Sequence, residues 1–102
     1  MATYVLIYAG GRDDDGATTD EEQMTAWVSW ISRLGSAVLE EGHSFGDSAT
    51  VRLGEVTSPA AILLSGYTIV RAETLDRAVE LATTCPVVRG GGSVHVLEAA
   101  DE

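Results

Sequence analysis

Few side chains in this chain could do chemistry, and they are scattered along it: two histidines, one cysteine and six arginines among sixteen acidic residues. His95, in "SVHVLEA", is the leading candidate, because a histidine can move protons near neutral pH. Arg52, in "TVRLGE", could hold a carboxylate or enolate through two parallel hydrogen bonds, and Tyr8 and Tyr67 could supply orienting hydroxyls. If these four converge, a carbonyl compound or a phenolic acid is the class of ligand they would suit. The competing reading is that His95 and Arg52 satisfy polar groups across a subunit interface.

Other candidates are weaker. His43, Ser44 and Asp47 lie close together in "EEGHSFGDS", but a Ser-His-Asp relay is defined by geometry rather than closeness in sequence, and a loop histidine after a helix is the commoner explanation. In "TTCPVVRGGGSVHV" the lone Cys85 continues the apolar face of a helix, which reads as a buried residue rather than a nucleophile. The triple glycine there follows a helix, whereas phosphate loops place their glycines before a helix N-terminus. "GGRDDDG" has three adjacent aspartates, not the alternate spacing by which a calcium loop turns each carboxylate toward one ion. No zinc-ligand spacing exists, so neither a metal nor another cofactor is expected.

The elements that must position these residues follow from periodicity. "TYVLIY" is a first strand closed by Gly10 and Gly11. "TDEE" has the form of a capping box, with Thr19 as N-cap and Glu22 reaching back. Met24, Trp27, Ile31, Leu34 and Val38 then recur at helical spacing, which predicts a first helix running to Gly42. One of Trp27 and Trp30 falls off the apolar stripe and is expected to be partly exposed. Ser48–Val56 reads as a second strand, "AILLSGYTIVRA" as a third, and Thr74 caps a second helix with Leu75, Ala78, Val79 and Ala82 on one face and Pro86 as its stop. "SVHVLEA" is the last strand, before an acidic tail expected to fray from about residue 99.

The order βαββαβ predicts an α+β, ferredoxin-like domain spanning residues 1–102, with an antiparallel four-stranded sheet and both helices on one face. The bare face of such a sheet calls for a second copy packed against it, a homodimer. Strand alternation then places Ser93, His95 and Leu97 on the open face, with Val94 and Val96 under the helices. By the same rule Thr50 and Arg52 face the opening, with Val51 and Leu53 inward. In the first strand Val5 and Ile7 go under the helices, leaving Tyr4, Leu6 and Tyr8 in the dimer cavity. The third strand is apolar on both sides, so parity leaves Tyr67 unplaced.

A formal charge of −10 repels phosphate backbones and anionic lipid, so nucleic acid and membrane are not expected as partners. No apolar run approaches the length of a membrane span, and a single cysteine forms no internal disulfide. A cytoplasmic protein is the expectation.

The segment "SGYTIVRAETLDRAVELATTCPVVRGGGSVHVLE" resembles the YCII-related family, in particular its DGPF-domain branch. It shows a Gly-Tyr strand, a Leu-Asp-x-Ala helix, a Cys-Pro helix end, Arg-Gly-Gly and a last strand in the family's order. "TYVLIYAG" is similar to the family's first strand, and "TDEEQMTAWVSWISRLGSAVLEEG" occupies the place of its first helix. The resemblance implies a dimeric α/β barrel, with the two open sheet faces enclosing a cavity, and it adds Arg89, the arginine of Arg-Gly-Gly, to the candidate ligand-binding set. Two features depart from the family: the Asp-Gly-Pro-Phe motif is missing between Val51 and Tyr67, and the first helix offers no histidine. Two functional readings follow. In one, a homodimer binds a small organic molecule and transfers a proton or catalyses an elimination through His95; in the other, the dimer is a non-catalytic ligand-sensing or partner-binding module.

Overall fold

The computed structural model describes residues 1–10, 20–60 and 62–100. The aspartate run of "GGRDDDG", the N-cap Thr19 and the last two residues of the acidic tail lie outside the described residues. The main sheet holds β1 (Ala2–Ala9), β2 (Val38–Glu40), β5 (Gly66–Ala72) and β6 (Ser93–Glu98) in the order β2-β5-β1-β6. β3 (Thr50–Arg52) and β4 (Glu55–Thr57) form a separate two-stranded hairpin. The helices are α1 (Asp20–Leu34), α2 (Leu75–Thr83) and the short α3 (Pro86–Arg89). All pairings are antiparallel, and the order is the ferredoxin-like arrangement expected from the sequence.

Two boundaries differ from the sequence expectation. α1 stops at Leu34 because Gly35 takes a left-handed backbone (φ 57°), the conformation that ends helices and that glycine adopts without steric penalty. Val38, which continues the helical spacing, instead begins the second strand of the sheet. The expected strand at Ser48–Val56 is consequently not part of that sheet: its residues fold into the β3–β4 hairpin, with Val51 paired to Val56 and Arg52 to Glu55.

The parity of β1 is also the reverse of the expectation. Tyr4, Leu6 and Tyr8 are buried beneath the helices with Val70, Ala72, Trp30, Ala78, Ala82, Cys85 and Val87, while Val5 and Ile7 lie on the open face. "TYVLIY" is apolar or aromatic at every position after Thr3, so no polar alternation marks its outer side. The larger side chains take the side where two helices can cover them, and Tyr8 keeps its hydroxyl satisfied there by donating to Thr68 Oγ1 at 2.6 Å. β6 follows the expected parity, with Val94 and Val96 half-buried against the core and His95 and Leu97 exposed. α2 is capped as anticipated: the Arg77 amide donates to Thr74 Oγ1 at 3.1 Å. Pro86, expected only as a stop, also opens α3, where its missing N–H has no helical partner to lose. At the chain end the Ala99 amide donates to the Thr3 carbonyl (2.9 Å), carrying the β6–β1 pairing one residue further.

Candidate functional site

After β2 the chain stays beside β5. The Tyr67 amide donates to the His43 carbonyl (3.2 Å), Ser44 bridges Gly66, and the Phe45 amide donates to the Ser65 carbonyl (2.9 Å). This close approach needs a glycine at position 42, whose φ is 84° and whose α-carbon lies against the Tyr67 carbonyl. The backbone thereby brings the rings of His43 and Phe45 beside that of Tyr67. Phe45 stacks on the Tyr67 ring (centroids 5.8 Å apart, 24° between planes), and His43 sits at 6.2 Å. The Tyr67 hydroxyl donates to Glu40 Oε2 at 2.6 Å.

That last bond defines what Tyr67 can do. The Glu40 carboxylate accepts the phenolic proton, and this bond, with some desolvation and the negative charge beside it, raises the Tyr67 pKa above its ordinary value. Tyr67 therefore remains a neutral phenol with its proton committed, and toward a ligand its oxygen is an acceptor. The partner it recognises is a hydroxyl or N–H donor, best carried on a flat ring that can lie along Phe45 and His43.

A cleft of about 540 Å³ opens between α1 and the β5 edge, lined among others by Met24, Trp27, Tyr8, His43, Tyr67 and Thr68, and its size is that of an ordinary small-molecule site. Its inner wall is a chain of edge-to-face aromatic contacts, Tyr8 to Trp27 at 5.2 Å and Trp27 to Trp30 at 5.5 Å. Behind that wall the Thr68 hydroxyl passes on the bond it receives from Tyr8 by donating to the Glu41 carbonyl (2.9 Å). Burial raises the pKa of Tyr8, so it is a fixed neutral group rather than an acid or base.

The residues singled out in the sequence divide accordingly. Tyr67 and His95 reach the same face of the sheet, since both pair with Ile7, and two strand spacings separate them by roughly 10 Å. His95 lies beside an apolar groove with Ile62, Leu64 and Leu97. Tyr8 lines the cleft but from the helix-covered side, so it does not join the open-face set. Arg52 is carried away from the sheet on the hairpin, and Arg89, at the end of α3, lines a different groove between α3 and α1. Glu40 was missed, and His43 was set aside as a loop histidine after a helix. The signal for both was the run "VLEEGHSF" after the first glycine breaker, an extended segment where a helix end was expected. Among the described residues no group of three His, Cys, Asp or Glu is placed to hold a metal, and no helix is long and apolar enough to cross a membrane.

Cys85 is fully buried at the start of α3, and desolvation pushes its thiol up from 9.0 to about 11, opposed in part by the amides of Val87 and Val88. Two results are expected. Iodoacetamide at pH 8 leaves the native protein unlabelled and labels it once denatured. Because the folded pKa lies above the unfolded one, the thiol's contribution to stability is complete below pH 9.0 and is lost as pH rises through about 11. Rapid labelling of the native protein would show that this part of the core opens freely.

No family model and no curated protein sequence matches the chain. Among solved structures it is similar to 5-chloro-2-hydroxyhydroquinone dehydrochlorinase (TftG) from Burkholderia phenoliruptrix AC1100, in complex with 2,5-dihydroxybenzoquinone. The TM-score is 0.59 at 16% identity, over 97% of this chain and 95% of that one. At that identity the likeness establishes a shared α+β fold across nearly the whole length of both chains.

Proposed function

We propose that the chain is a YCII-related, cytoplasmic homodimer that encloses a cavity between its open sheet faces, binds there a small planar molecule bearing ring hydroxyls, and transfers a proton to or from it. The observation that carries this reading is Tyr67, with Phe45 and His43 beside it and its proton held by Glu40. This is a stacking platform with one hydrogen-bond acceptor. That the similarly folded dehydrochlorinase is bound to 2,5-dihydroxybenzoquinone, a flat oxygenated ring, supports the ligand class. Two imidazoles serve this face. His43 stands beside the platform and is the better-placed proton carrier for a ring hydroxyl bound at Tyr67. His95, the candidate from the sequence, faces the same cavity from the apolar side and is the second.

A second reading has one observation in its favour: His43 and His95 are both exposed in the single chain. If the dimer leaves them in open water, the protein binds its ligand without turning it over and acts as a sensor. A thermal-shift series with hydroxyquinones, dihydroxybenzoates and aliphatic acids tests the site. A hydroxylated ring at a hundredfold excess over its dissociation constant is expected to stabilise the protein by about 2.7 kcal/mol. Tyr67→Phe should weaken that ligand about tenfold, the value of one good hydrogen bond. His43→Ala should keep binding and lose solvent exchange of the ligand's ring protons, whereas in a sensor neither the wild type nor the variant accelerates exchange. Aliphatic acids stabilising as well as ring compounds, with Tyr67→Phe without effect, would sink the proposal.

A further inference from the structure

The β3–β4 hairpin projects from the domain with its apolar side bare. Alternation puts Val51 and Val56 on one face, as a cross-strand pair with Leu53 at the tip, and Thr50, Arg52, Glu55 and Thr57 on the other. Val51 is 74%, Leu53 106% and Val56 68% exposed. The hairpin's main contacts are within itself, and its base is closed by Ser58 Oγ donating to the Ser48 carbonyl (3.0 Å) and the Ala60 amide donating to Ser48 Oγ (3.0 Å). A lone two-stranded hairpin is marginal in water. The radius of gyration, 14.8 Å against about 13 Å for a compact chain of this length, fits an arm held away from the body.

The same chain carries a matching receptor. Along the outer edge of β6, which among the described residues pairs only with β1, an apolar groove is lined by Leu75, Val79, Val88, Val94, Val96 and Leu97. Little in β6 blunts this edge: Ser93–Glu98 contains no proline and no lysine, and its carboxylate, Glu98, stands at the strand's end.

We infer that the hairpin is an exchange arm, seated in the β6-edge groove of a second copy of this chain, each copy giving an arm and receiving one. Charge selects this occupant. The chain bears −10, so two copies repel each other except where they are locally neutral. The arm, residues 48–60, holds one arginine and one glutamate and so sums to zero, and the residues that line the groove include no aspartate, glutamate, lysine or arginine. Val51, Leu53 and Val56 on the arm and Leu75, Val79, Val88 and Leu97 in the groove are each at least 39% exposed, so both surfaces have apolar area to bury against a partner. Reciprocal exchange also closes the symmetry, one arm and one groove on each side of a two-fold axis. The inference rests on the homodimer reading above and specifies which surfaces hold the dimer together besides the sheet faces.

Sedimentation of the full chain tests both. Wild type is expected to be dimeric, and Leu53→Asp with Val56→Asp to weaken the dimer at least a hundredfold while its circular dichroism is unchanged. In parallel, Leu53→Cys and Val79→Cys are made in two differently tagged chains, mixed and oxidised; a disulfide joining the two tags is expected. Placed together in one chain at low concentration, the same pair closing an internal bridge would overturn the exchange. A dimer of unchanged affinity in the double aspartate variant would overturn it too, and would leave the sheet-face dimer standing. Wild type that stays monomeric at all concentrations would remove the homodimer reading itself.

Discussion

Gly42→Ala is expected to lower stability by about 3 kcal/mol or more and to abolish the ligand-induced stabilisation at the Tyr67 platform. Two effects add. At φ 84° an alanine pays the left-handed penalty of about 1–2 kcal/mol. More important, its β-carbon would overlap the Tyr67 carbonyl oxygen and fall 2.7 Å from the carbonyl carbon, and these are backbone atoms of a central strand that cannot turn aside. Gly66 is close from the other side as well, though less so: a β-carbon there would meet the His43 carbonyl at 2.8 Å. The chain around residue 42 must then leave β5, losing the Tyr67–His43 hydrogen bond and the Ser44–Gly66 bridge, and carrying His43 away from Tyr67. For a domain of this size, 3 kcal/mol corresponds to a fall in Tm of roughly 12–24 °C. Gly46→Ala is the control: no atom lies within 4 Å of its β-carbon position and its φ is not positive. A Gly42→Ala protein that melts within a few degrees of Gly46→Ala would show that the contact between residue 42 and β5 does not hold the site together.

This dependence on one glycine explains what the sequence could and could not show. Local pattern made β1, β5, α2 and β6 legible, since each is bounded by punctuation such as Gly10, Thr74, Pro86 and the Gly90–Gly92 run. It failed between residues 35 and 57, where two competing signals coincide. Val38 falls at helical spacing from Leu34, and the alternation of Thr50 to Arg52 looks like a sheet strand. The conformations of Gly35 and Gly42 decide against both, and φ is not written in a residue name. The site was hidden for the same reason. Glu40 and His43 acquire meaning only through pairing with a strand 24 to 27 residues later, a long-range register that periodicity does not encode. His95 was visible because β6 alternates cleanly; Tyr8 was misplaced because β1 does not.

Trp30→Ala should be among the most damaging side-chain truncations in the molecule, destabilising it by about 3–5 kcal/mol, out of the 5–15 kcal/mol typical of a domain. Trp30 is fully buried and is the largest of the fully buried side chains, packed where α1 meets the C-terminal end of α2. Its indole N–H donates to Thr84 Oγ1 at 3.1 Å and more weakly to the Leu81 carbonyl at 3.3 Å, so truncation both opens a cavity and removes a donor from two acceptors. Trp30→Phe separates these effects: most of the volume stays, and a loss nearer 1–2 kcal/mol is expected from the missing donor and the smaller ring. Trp27, one turn earlier and only half-buried, gives the comparison, because its ring touches both Tyr8 and Trp30 yet lines the cleft. Trp27→Ala should therefore unfold at a urea midpoint closer to wild type than Trp30→Ala does, since a cleft wall disappears but the joint between helices stays. Were Trp27→Ala the less stable of the two, the sheet-to-helix core would be centred on the cleft rather than behind it, and a site built there could not be altered without unfolding the protein.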